Sequence, residues 1–244
     1  MPEPKVIYED KNFVVINKPA GLLVHVVKTS VENDAVRKTE PVLTSWLLRR
    51  YPELKKVGDD PENRPGIVHR LDRDTSGIMI IPRNQKYFEY LKDLFKNRQI
   101  QKTYIALVFG KLSNLTGIIN KPIGIKTGTT KHSVVATKMV KEAVTEYMVL
   151  KILRDSRGEL FSLIEVYPKT GRTHQIRVHF ASIGHSLAGD KMYGRKNQPD
   201  WAIRLMLHAQ SLEFMSEITG SRLKIEALPP EDFEKIIASL ESSA

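Results

Sequence analysis

The chain contains no cysteine, which excludes disulfides and thiolate-held metals and suits a reducing compartment such as the cytoplasm. No apolar run approaches the roughly 20 residues that cross a bilayer. The N-terminal stretch MPEPKVIYEDKNFVVINKP lacks the basic start, apolar stretch and small-residue cleavage site of a secretory signal. There is no GxxxxGK[ST] phosphate loop and no GxSxG elbow, the simplest signs of nucleotide hydrolysis and esterase chemistry. The seven histidines are scattered; His174 and His179 are five apart and do not share a helical face. Asp72 and Asp74 are flanked by Arg70 and Arg73, which would repel a divalent cation. No metal is expected.

What is present in excess is positive charge. Lys and Arg number 38 against 28 acids, a formal net charge of +10 over 244 residues and a pI near 9.6. That balance favours a polyanionic partner, above all nucleic acid. Hydrophobic residues at 41% and charged residues at 27% are those of an ordinary globular protein.

Residues 6–16 predict a strand, a polar turn and a second strand, ending at the breaker-rich turn Asn17 to Gly21. Exposed loops are expected at 26–41 and 55–66, with a short helix over 44–51 between them. The alternation of Ile67, His69 and Leu71 with Val68, Arg70 and Asp72 predicts a strand with Arg70 and Asp72 on one face. After the turn RDTSG, the run Ile78 to Ile81 predicts a buried strand. Tyr87, Phe88, Leu91, Leu94 and Phe95 recur at helical spacing behind Asn84 as N-cap. Residues 99–109 predict a strand with Lys102 and Tyr104 on one face. Further strands are expected at 144–153, 159–167, 205–214 and 222–227. A helix is expected from Thr173 as N-cap, burying Ile176, Phe180 and Ile183, and another from Pro230, burying Phe233, Ile236, Ile237 and Leu240. Many strands with hairpin-like spacing and few helices give an α+β class with a largely antiparallel sheet.

Two segments carry the candidate chemistry. In His69-Arg70-Leu71-Asp72-Arg73-Asp74-Thr75-Ser76-Gly77, a carboxylate sits between arginines before a tight turn. A nearby guanidinium would keep Asp72 ionised, which suits nucleophilic attack or base catalysis. In Thr170-Gly171-Arg172-Thr173-His174-Gln175-Ile176-Arg177, polar and basic side chains crowd a helix start whose N–H groups favour an anion. Read without a family, the first segment is more simply a strand-end aspartate capping its turn beside a routine Arg pair, and the second is as readily a solvated helix start with harmless cations.

HRLDRDTSG at 69–77 resembles the signature of the RluA family of pseudouridine synthases. Three further blocks resemble the family's in the same order: NKPAGLLVH at 17–25, KTYIALVFG at 102–110 and TGRTHQIRVHFASIGHSLAGDKMYG at 170–194. The likeness runs from about Tyr8 to about Leu228. It implies the pseudouridine synthase fold: a largely antiparallel mixed sheet flanked by helices and loops, with a central RNA-binding cleft. It implies detachment of a uracil from its ribose and reattachment through carbon 5, with neither cofactor nor metal. Asp72 matches the catalytic aspartate, by covalent attack or by a glycal route. Arg177 matches the arginine that pairs with that aspartate. Tyr104 matches the aromatic residue that stacks on the base, and Ile176 an apolar wall of the base pocket. Arg70 matches an arginine that helps expel the uridine, with His69, Arg73 and Lys102 as further RNA contacts. Extruding a base costs a few kcal/mol, of which stacking on Tyr104 could return roughly 1–3 kcal/mol.

The chain is thus expected to be one catalytic domain over 1–244, without the S4-type N-terminal module of many relatives, as in the RluA and TruC branches. It is expected to act as a cytoplasmic monomer on tRNA or ribosomal RNA, with no membrane association. The loops at 26–41 and 55–66 are candidate target-reading elements. Two competing readings are a non-catalytic RNA-binding or ribosome-assembly protein on the same scaffold, and a carboxylate-dependent nucleosidase or nuclease. The second lacks an obvious acid for the leaving group.

Overall fold

The computed structural model describes residues 3–26, 41–126, 131–136, 138–217 and 219–242. The chain divides into two compact units, Met1–Ile100 with Phe214–Leu223, and Gln101–Glu213 with Lys224–Ala244. The proposed target-reading loop at 26–41 lies almost wholly outside the described residues.

In the first unit, β1 (Lys5–Glu9) and β2 (Phe13–Lys18) form a hairpin. Asp10 Oδ1 closes it, accepting from the backbone N–H groups of Asn12 and Phe13 at 2.7 and 2.8 Å. β2 pairs antiparallel with β3 (Ser76–Pro82), Val14 opposite Ile81 and Ile16 opposite Met79. Both strands are buried on both faces, which is why Val14–Ile16 and Ile78–Ile81 read as continuous apolar runs. Among the described residues, two helices belong to this unit, α1 (Leu43–Arg50) and α2 (Gln85–Lys96). Asn84 caps α2 as expected, its side-chain oxygen accepting from Tyr87 N–H at 2.9 Å. Tyr87, Phe88, Leu91 and Leu94 are buried, each such side chain contributing about 1.5–3 kcal/mol of transfer free energy.

One expectation fails here. Residues 67–72 form no strand; the ladder begins only at Ser76. The alternation of apolar and polar residues is real, but the segment spends its hydrogen bonds on turns, such as Thr75 N–H to Asp72 C=O at 3.2 Å. The loop at 55–66 opens inside a 3-10 turn, Pro52–Lys56, that buries Leu54, and Gly66 N–H closes back onto Val57 C=O at 2.8 Å.

The second unit contains β4 (Gln101–Phe109), β5 (Thr116–Asn120), β6 (Ile123–Ile125), β7 (His132–Ser133), β8 (Lys138–Lys141), β9 (Val144–Arg154), β10 (Leu160–Pro168), α3 (Gln175–Ser182), β11 (Leu207–Met215), β12 (Arg222–Glu226), α4 (Glu231–Ser239) and β13 (Glu241–Ser242). The tip of the β11–β12 hairpin is the Phe214–Leu223 segment of the first unit. Four long strands pair in the order β11–β4–β10–β9, each neighbouring pair antiparallel, with β5 and β13 added along β9. Small strands β7–β6–β8 make a separate sheet.

The alternation of β4 and β10 decides which helix covers which face. Ala106, Val108, Ile164 and Val166 pack with Ile176 and Phe180 of α3. Leu107, Phe109, Phe161 and Leu163 pack with Phe233 and Ile236 of α4. The expected α+β class with a largely antiparallel sheet is what the molecule has.

The structure moves one helix start: α3 is capped by His174, not Thr173, and His174 adopts a left-handed backbone with φ +56°. Among the described residues, no helix is long and apolar enough to cross a membrane.

Candidate active site

The first unit carries Asp72 on a turn tied to the block NKPAG. Lys18 is fully buried, and its ammonium donates to the carbonyls of Pro19, Leu22 and Arg73 at 2.9, 2.8 and 3.0 Å. That satisfies all three of its protons. Arg73 returns the tie, Nε donating to Gly21 C=O at 3.2 Å, while Gly21 N–H donates to Arg73 C=O at 2.9 Å. The carboxylate at 72 is thereby carried on a short segment fixed on its C-terminal side. His69, expected among the RNA contacts, is half-buried; its Nε2 accepts from Ile80 N–H at 3.0 Å and its ring stacks on Phe95 at 4.5 Å.

Arg70 and Arg73 are exposed and Asp72 is half-buried. His25, the last residue of the N-terminal block, is buried with no hydrogen-bond partner on Nδ1. Burial, then the charges of Arg70 and Arg64, push its pKa down to about 4. A neutral imidazole in that position lets two guanidiniums approach without a third cation.

The second unit gathers Lys102, Tyr104, Ile176 and Arg177. Tyr104 lies on β4 between Val166 of β10 and Ala209 of β11. Its half-buried ring packs on the cluster that contains Ile176 and Phe180. Lys102, two residues earlier on the same face, reaches the Thr170 carbonyl at 3.4 Å. Thr170 and Gln175 pin the turn into α3. Thr170 Oγ1 donates to Gln175 Oε1 at 2.6 Å, and Gln175 Nε2 donates to Val144 C=O and Thr145 Oγ1, both at 2.9 Å.

Arg177, in the first turn of α3, is buried. Within its unit its carboxylate partner is Asp190, which accepts from Nε and from Nη2, both at 2.8 Å. Asp190 was not among the sequence-level candidates. Burial raises its pKa, but the Arg177 guanidinium and the N–H groups of Tyr193 and Met192 outweigh that and hold it below the ordinary carboxylate range. Sequence could have flagged it only as the acid inside AGDKMYG. Among the described residues, no group of three His, Cys, Asp or Glu side chains could hold a metal ion.

The family model described as RNA pseudouridylate synthase matches residues 12–182, a span that includes Asp72, Tyr104, Ile176 and Arg177. The chain belongs to the RluA family of RNA pseudouridine synthases. Among members of that family it is 37% identical over 235 residues to the RNA pseudouridine synthase YlyB of Bacillus subtilis, covering 96% of this chain and 72% of the relative. It is 38% identical over 208 residues to ribosomal large subunit pseudouridine synthase D of Borreliella burgdorferi, covering 85% of this chain and 60% of that one. Against the structure of human RNA pseudouridylate synthase domain containing 4, the TM-score is 0.72 at 26% identity, over 97% of this chain and 94% of the other.

Proposed function

We propose that this chain isomerises uridine to pseudouridine in large-subunit ribosomal RNA. Asp72 supplies the carboxylate that attacks the ribose or removes its proton, Tyr104 receives the extruded base on its ring, and Arg177 supplies the buried cation of the reaction. Ile176 forms an apolar wall for the base. Arg70 and Arg73 contact the phosphodiester backbone, an electrostatic role that the excess of ten positive charges extends over the surface and that makes binding salt-dependent.

The observation that carries this reading is the joint placement of Tyr104, Ile176 and Arg177. All three lie on β4 and on α3, the helix packed over one face of that strand and entered through the Thr170–Gln175 turn. That is the arrangement a base-stacking surface beside a fixed cation requires. Ribosomal RNA is favoured over tRNA because relatives at 34–38% identity over most of this chain carry the name ribosomal large subunit pseudouridine synthase D. On the same reading the chain acts as one catalytic domain, as a monomer in the cytoplasm, without cofactor or metal.

Pseudouridine mapping across ribosomal RNA and tRNA, in cells with and without the protein, tests the substrate. Loss of one or more sites in large-subunit ribosomal RNA is expected. Loss confined to tRNA would overturn the choice of substrate, and identical maps would overturn the activity.

A further inference from the structure

Arg177 is held in a way that the reaction alone does not explain. A buried ion pair contributes little net stability, because the desolvation of two charges offsets their attraction. What a bidentate carboxylate does give is direction: it binds the Nε and Nη2 edge of a planar group and so decides where Nη1 points. Here the Asp190 side chain is itself immobilised. Besides the two guanidinium bonds, its Oδ1 accepts from Met192 N–H at 2.9 Å and Tyr193 N–H at 3.0 Å. Its side chain has no solvent exposure, and that of Arg177 only 6%.

A second wall completes the seat. The Tyr193 ring lies under the guanidinium, 5.1 Å from ring centroid to guanidinium carbon. The ring is in turn fixed at its far end. Its hydroxyl accepts from His132 N–H at 3.1 Å and lies 2.9 Å from Nδ1 of His174. His174 holds the left-handed φ that opens α3, a strained conformation that persists where surroundings over-determine it. The turn 190–193 thus grips Arg177 both in its plane and on its face.

We propose that Asp190 and Tyr193 are positioning residues for the isomerisation, setting the plane and direction of the Arg177 guanidinium. This rests on the reading of Arg177 as the cation of the reaction. Both residues lie within the family-like block at 170–194, beyond residue 182, where the match to the family model ends.

The test measures single-turnover tritium release and RNA affinity for wild type, Asp190→Asn, Arg177→Lys and the double variant. The probe is total RNA from cells that lack the protein and were grown on uridine tritiated at carbon 5. Asp190→Asn is expected to slow release about 100-fold, the scale of a small misplacement, with affinity for RNA unchanged within about 3-fold. The double variant is expected to be no slower than Arg177→Lys alone, because Asp190 acts through Arg177. Independent, multiplying losses would overturn the proposal, as would a wild-type rate in Asp190→Asn. A wild-type rate in Arg177→Lys would remove the role of Arg177 itself and the proposal with it. If Asp190→Asn does not fold, Tyr193→Leu asks the same question with the ion pair intact. A loss of about 10-fold is expected there, largely restored by Tyr193→Phe; no loss would overturn the proposal.

Discussion

Gly189 and Gly158 both have left-handed backbones, φ +73° and +82°, yet the structure assigns them different tolerances. An alanine at either position incurs the left-handed penalty of about 1–2 kcal/mol. At Gly158, in the turn between β9 and β10, a Cβ would meet nothing within 4 Å. At Gly189 it would overlap the carbonyl oxygen of Arg204 and stand 2.5 Å from its carbon and 3.1 Å from Leu205 N. All three are backbone atoms, and that backbone cannot retreat freely: Met206 N–H donates to Ala188 C=O at 2.9 Å and Ala188 N–H to Leu107 C=O at 2.9 Å. Forced repacking of this kind costs a further 1–3 kcal/mol or so. Gly189→Ala should therefore lose about 2 kcal/mol more than Gly158→Ala, roughly 5 °C in midpoint for a chain of this size. Thermal and urea unfolding followed by circular dichroism measures both. Equal losses, or a larger loss at Gly158, would refute the reasoning.

His208 lies buried in β11, with Nε2–H donating to Ala227 C=O at 3.0 Å, and burial pushes its pKa down to about 4. The unfolded chain takes up a proton near pH 6.5 that the folded chain refuses until about pH 4. Stability should therefore fall across that window, by roughly 2–3 kcal/mol between pH 7 and 4.5. Urea titrations should show that share of the pH dependence disappearing in His208→Gln; an unchanged dependence would count against it. Removing a guanidinium near His25 should move that imidazole the other way, its pKa rising above 4 in Arg70→Ala, as read by NMR titration. Asn84→Ala removes the side-chain acceptor of Tyr87 N–H and should cost about 1 kcal/mol in urea unfolding; no loss would show that the cap is replaced.

Elements with strong periodicity are visible in the sequence. β4, β9 and β10 are rich in β-branched and aromatic residues, and the alternation along β4 sorts Ala106 from Leu107 onto opposite helices. α2 shows both its apolar stripe and its cap. The strand expected at 67–72 fails because alternation there comes from a charged motif whose backbone is committed to turns. The small sheet of β6, β7 and β8 has strands of two to four residues, too short to show a period. His174 displaces Thr173 as the cap because tertiary contacts with Tyr193 hold it in a conformation its own propensity disfavours. Asp190 is invisible for a different reason. Its partner is 13 residues away, and nothing local distinguishes a buried carboxylate from one that closes an exposed turn.

Resemblance puts forward Asp72, Tyr104 and Arg177 as the site; the structure supplies the ties around them, Lys18 beneath the Asp72 turn and Asp190 across Arg177. On the proposed reading, the carboxylate of Asp72 drives the isomerisation. The direct measurement is tritium release from carbon 5 of labelled RNA by wild type and Asp72→Asn, at enzyme concentrations that saturate RNA binding for both. Wild type should release tritium with the RNA intact and no free uracil, and Asp72→Asn should be slower by about 10²–10⁴-fold. A wild-type rate in Asp72→Asn, or release accompanied by free base or strand breaks, would contradict it.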